Sequence, residues 1–191
     1  MRWIPASLLV IVSCVTNAET VKVTSPDGNI VVEINDDKSQ PEYRVYYQNQ
    51  PVIEPSALGL VFKEQAPFTE GFKINQTTTS NQDSTWKQPW GERQTVRDHH
   101  NALTVEFANS SLTNHQQNES WIESLFSNQP ETLNARYTLE VKVFNDGLGF
   151  RYIVPNQAGF EQIELVKEST EFTIPDAHNT TAFWIPARGW N

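Results

Sequence analysis

Apolar side chains recur at every second position along much of this chain. In Leu103-Thr-Val-Glu-Phe107, Leu103, Val105 and Phe107 share one face, while Thr104 and Glu106 share the other. Tyr137, Leu139, Val141 and Val143 alternate with Thr138, Glu140 and Lys142 in the same way. A period of two marks an antiparallel strand with one buried face. Strands are also predicted at Thr20–Ser25 and Ile30–Asn35, on either side of the turn residues Pro26-Asp27-Gly28-Asn29. Tyr43–Gln48 and Val52–Glu54 flank Asn49-Gln50-Pro51 as a hairpin, and Leu58–Lys63 is a further strand. Asp146-Gly147 between two alternating runs predicts a tight hairpin, because both residue types tolerate positive φ. Shorter strands are expected at Ile163–Val166, Glu171–Ile174 and Thr181–Trp184.

A single short helix is predicted. Ser120-Trp121-Ile122-Glu123 has the form of a capping box, and Trp121, Ile122, Leu125 and Phe126 follow at helical spacing. It lies inside a polar stretch, Asn109 to Asn134, that otherwise reads as a long loop. About ten short strands separated by turns predict an all-β fold, an antiparallel β-sandwich.

The N-terminus changes the bounds of that domain. Arg2 precedes a mostly apolar run from Ile4 to Val15, too short to span a bilayer, and Thr16-Asn17-Ala18 places small residues before a cut at Glu19. Residues 1–18 are read as a secretory signal peptide and residues 19–191 as the folded domain. Ile11-Val12-Ser13-Cys14 also resembles a bacterial lipobox, which would make Cys14 a lipid anchor. Both routes lead to a periplasmic or extracellular protein. Cys14 is the sole cysteine, so no internal disulfide forms and the core alone must hold the domain.

The net charge of −9 becomes −10 when Arg2 leaves with the signal, since it is the one charged residue removed. An acidic chain without a basic cluster is poorly suited to nucleic acid or to an anionic membrane surface. Neutral polar ligands such as sugars remain open.

The motifs give little direct chemistry. His99 and His100 are adjacent, which on a strand points them to opposite faces, and His115 and His178 are isolated. No metal site is expected from them. No G-x-S-x-G motif is present. Asp36-Asp37 and Asp146 read as turn residues rather than as a catalytic carboxylate pair. The segment from Trp86 to Asn101, WKQPWGERQTVRDHHN, concentrates awkward residues. It reads as a structural brace. Pro89 fixes the backbone between Trp86 and Trp90, Gly91 permits a tight turn, the rings cover one end of the core, and Glu92 is held by Arg93, Arg97 and turn N–H groups. The rival reading makes Trp90 a sugar platform and Glu92 a hydroxyl acceptor.

Five pieces then line up in order: SPDGNIVVEI, PSALGLVF, TWKQPWGERQTVRDHHNALTVEF, VFNDGLGFRYIVP and TAFWIPA. Together they resemble the N-terminal domain of glycoside hydrolase family 97, a group of secreted bacterial α-glycosidases, from about Val21 to Ala187. The resemblance implies a β-supersandwich like that of galactose mutarotases. It implies a following (β/α)₈ barrel that carries the catalytic carboxylates, against which this domain packs and helps to wall the sugar pocket. It also implies calcium in the full-length enzymes, held mostly by the barrel, with one further glutamate a few residues beyond the W-I-P segment. That position falls past Asn191, so no catalytic or metal-binding residue is assigned here. Trp184, Arg188 and Trp190 are expected to face the barrel or the sugar, and the stretch from Leu112 to Thr132 is longer than the family's usual loop. The expected function is a non-catalytic, carbohydrate-facing domain of an α-glycosidase, inactive alone. The alternative is a free-standing carbohydrate-binding protein.

Overall fold

A computed structural model describes residues 19–113, 132–181 and 183. The strands are β1 (Thr20–Thr24), β2 (Ile30–Asn35), β3 (Glu42–Tyr47), β4 (Gln50–Ala57), β5 (Leu60–Phe62), β6 (Lys73–Lys87), β7 (Thr95–Thr113), β8 (Thr132–Phe144), β9 (Gly147–Ile153) and β10 (Leu165–Glu168). Every pairing among them is antiparallel. They form two four-stranded sheets, β1-β2-β3-β4 and β6-β7-β8-β9, and a two-stranded sheet of β5 and β10. The domain is an all-β antiparallel sandwich. The described residues include a single 3-10 turn, Ala177–Asn179. The helix expected after Ser120 lies outside the described residues.

The alternation in the sequence becomes the core. Val23, Val32, Ile34, Tyr43 and Val45 line the inner face of the first sheet; Leu103, Val105, Phe107, Tyr137, Leu139, Val141 and Val143 line that of the second. β1 lies against β7 and β2 against β8. One end is closed by an aromatic cluster. The Phe68 ring sits 4.7 to 5.7 Å from those of Phe62, Phe72, Phe160 and Tyr137. The Tyr137 hydroxyl is buried there without a hydrogen-bond partner among the described residues. Burial holds it well above the usual phenol range, so it stays protonated. An unmade buried hydrogen bond costs stability, and Tyr137→Phe removes the hydroxyl while keeping the ring. That variant should match or exceed the parent by up to about 1 kcal/mol in chemical denaturation.

The turns match expectation in part. Ser25 caps the first hairpin: Ser25 N donates to Ile30 O (2.8 Å), and Ile30 N donates to Ser25 Oγ (2.9 Å). Gly28 there has φ +78°, a conformation that favours glycine. The second turn falls at Gln48-Asn49, both with positive φ, one residue earlier than Asn49-Gln50-Pro51. The hairpin between β8 and β9 turns on Asn145-Asp146, with Phe144 opposite Gly147, and none of these carries positive φ. There Asn145 Oδ1 accepts from Asp27 N at 3.1 Å and ties two hairpin turns together.

Three elements differ from expectation. Thr181–Trp184 is expected as a strand, but Thr181 and Phe183, its described residues, lie in none. Glu171–Ile174 forms no strand, although it runs beside β4. Glu54 N donates to Thr173 O (2.8 Å), but Thr173 N donates to the Ser56 hydroxyl (2.9 Å), which breaks the ladder. β6 was not expected at all. Most of its length is polar and exposed, and β7 pairs with it along its full length.

Candidate functional site

The feature that stands apart from the sandwich is the far end of the β6–β7 hairpin. β8 stops pairing with β7 at Asn101↔Val143. Beyond it, six residue pairs from Gln82↔His100 to Lys87↔Thr95 continue with β6 as the partner of β7. At about 3.4 Å per residue this is a two-stranded arm roughly 20 Å long.

The arm ends in a closed loop from Gln88 to Gln94. Gln88 N donates to Gln94 O (3.1 Å), and Gln88 Nε2 reaches across to Arg93 O (2.7 Å). Gly91 has φ +119°, a conformation that favours glycine, and a Cβ there would lie 2.7 Å from Gln88 Nε2 and push that side chain aside. Gly91 thus lies in a loop of seven residues, wider than the tight turn expected there.

The brace differs from expectation in how it is built. Trp86 is 51% exposed and Trp90 83% exposed, so neither ring covers the sandwich core. The arm runs on past the end of β8, where no third strand pairs with it. Glu92 is exposed and takes no ion pair from Arg97. Arg97 instead makes a two-pronged bridge to Asp83, with Nε–Oδ1 at 2.8 Å and Nη2–Oδ2 at 2.7 Å. That hydrogen bonding holds the Asp83 carboxyl below the usual carboxylate range. The loop is closed by Gln88, a residue whose role no sequence signal announced.

The histidines behave as strand residues. His99 and His100 project to opposite faces, and His100 is buried with its ring 5.0 Å from that of Phe144 and Nδ1 2.5 Å from Asp98 Oδ1. Among the described residues no group of three His, Cys, Asp or Glu side chains is placed to hold a metal.

Asp36 is buried and structural. Its carboxylate accepts from Glu19 N (3.0 Å) and Ile74 N (2.8 Å), and Lys73 Nζ donates to its carbonyl oxygen. It joins Glu19, just before β1, and the end of β2 to the start of β6. Asp146 sits in a hairpin turn.

Two other surfaces surround these features. At the root of the arm, a cleft of about 290 Å³ is lined by Lys22, Thr24, Thr79, Asn81 and Asn101. On another part of the surface, Ile163, Leu165, Val166, Phe172 and Ile174 all expose large apolar side chains. Phe183 is 93% exposed. Trp184, Arg188 and Trp190 lie outside the described residues. No described helix is long and apolar enough to cross a membrane.

The family model of the glycosyl-hydrolase 97 N-terminal domain matches residues 23–191. The chain belongs to that family. A family 97 glycoside hydrolase from Pseudoalteromonas sp. strain K8, solved in complexes with panose and with acarbose, is 45% identical with a TM-score of 0.74. The alignment covers 90% of this chain and 23% of that one. A retaining alpha-galactosidase of Bacteroides thetaiotaomicron is 22% identical over 173 residues, which is 88% of this chain and 21% of that protein. A beta-arabinopyranosidase structure at 22% identity and a TM-score of 0.64 shares the fold. The family 97 N-terminal domain described here thus spans less than a quarter of the length of these relatives.

Proposed function

We propose that this chain is the non-catalytic N-terminal domain of an exported α-glycosidase, facing carbohydrate and packing against a catalytic barrel. The observation that carries the reading is the family match across residues 23–191, in a chain that covers 23% of a family 97 enzyme crystallised with panose and acarbose. Catalysis and calcium binding then belong to the barrel, and this domain supplies shape and contacts.

Ile163, Leu165, Val166, Phe172 and Ile174 leave five large apolar side chains exposed within twelve residues, which supports a partner domain. Large exposed apolar surface marks an interaction site. A free-standing carbohydrate-binding protein would have no use for it.

The chain alone should hydrolyse no aryl α-glucoside, with or without calcium. It should also bind a hydrophobic dye and self-associate as concentration rises, and Phe172→Lys should weaken both effects. Sedimentation and dye fluorescence measure this. A clean monomer at high concentration that binds no dye argues against a partner on that face.

A further inference from the structure

We infer that the tip of the β6–β7 arm is a stacking platform for a neutral oligosaccharide, with Trp90 as its main surface and Trp86 as a second. This rests on the carbohydrate-facing reading above and names the place where that contact is made.

Three observations carry it. The first is that neither indole is buried in the core. Trp90 is 83% exposed and Trp86 51% exposed, on a two-stranded arm that no third strand flanks. Water contact along an indole face is unfavourable, so a bare tryptophan without a packing role invites a ligand with an apolar face. A pyranose ring has such a face, formed by its C–H groups.

The second observation is that the loop is pre-set. Gln88 bonds across it twice, and Gly91 holds a backbone conformation that strains any other residue. A platform fixed before binding loses less ordering entropy when its ligand arrives.

The third is the chemistry around the rings. Gln82, Ser84, Gln94 and Thr95 are exposed amide and hydroxyl side chains that can meet sugar hydroxyls at their edges. The formal charges of residues 82–100 cancel, Lys87, Arg93 and Arg97 against Asp83, Glu92 and Asp98, and Arg97 is closed on Asp83. A neutral ligand is favoured over an anionic or cationic one. A protein partner would call for more exposed apolar side chains, as at Leu165, Val166 and Phe172. On the arm the indoles stand as islands among polar side chains, which is the pattern of sugar recognition.

The test titrates the full chain with maltotetraose, following indole fluorescence and calorimetric heat, with melting temperature measured in parallel. Saturable binding by the parent is expected. Trp90→Ala should weaken it at least about tenfold without shifting the melting temperature, and Trp86→Ala should weaken it less. Gly91→Val keeps both rings but displaces the loop, and should weaken binding as well. If Trp90→Ala binds like the parent, the platform is elsewhere, while the carbohydrate-facing reading stands. If Trp90→Ala lowers the melting temperature and leaves affinity unchanged, the arm is a brace after all. If the parent itself binds no maltotetraose, the carbohydrate-facing reading fails together with the platform.

Discussion

Replacing Phe68 by alanine is expected to destabilise the domain by about 4 kcal/mol, a large share of the roughly 5–15 kcal/mol that holds a domain folded. Phe68 is fully buried, and its ring meets those of Phe62, Phe72, Phe160 and Tyr137. Its backbone is fixed by a two-way bridge: Leu60 N donates to Phe68 O (3.0 Å), and Phe68 N donates to Leu60 O (2.8 Å). Neighbours held this firmly cannot collapse into the space a phenyl ring leaves, so the transfer loss is compounded by a cavity. Urea denaturation followed by circular dichroism measures the change. A loss below about 1 kcal/mol would mean that the aromatic cluster is not the keystone of this end of the sandwich.

The second large effect is expected at Asp36. Asp36→Ala should cost about 3 kcal/mol, because two backbone N–H groups lose a charged acceptor at once. Glu19 N and Ile74 N both donate to its carboxylate, at 3.0 and 2.8 Å. Asp36→Asn keeps one good acceptor and should cost distinctly less. If the two variants fall together, the carboxylate is not the clasp. Proteolysis near Ile74 gives an independent readout, since the start of β6 should loosen first.

Where side chains had a buried face, their placement was legible in advance. Leu103, Val105 and Phe107 and the run from Tyr137 to Val143 alternate because one side of each strand meets the other sheet. β6 escaped notice for the converse reason. Its residues face solvent almost throughout, so no burial imposes a pattern, and its pairing comes from the backbone of β7. The Thr77-Thr78-Thr79 run was the one local hint, through the fit of β-branched residues to a pleated strand. The arm shows the same limit. Trp86, Pro89, Trp90 and Gly91 announced an unusual turn, but whether an indole there is covered depends on where β8 stops pairing. That boundary lies more than forty residues further on, at Val143. Asp36 looked like a turn residue because its partners, Glu19 and Ile74, are distant in sequence.

The small sheet of β5 and β10 also bears on how this domain reaches its folded state. Lys63 and Glu164, at the edge of that pairing, are 101 residues apart in the chain. Tyr43 reaches further still, donating to Glu171 O across 128 residues. Contacts of such long range close large loops and slow the search for the native topology, toward roughly milliseconds to seconds in all-β domains. However the chain emerges, β5 appears long before its partner does. Leu60 and Phe62 are buried at the end of the process and bare at its beginning. During that interval the strand is a ready target for chaperones, or for the same segment of a neighbouring nascent chain.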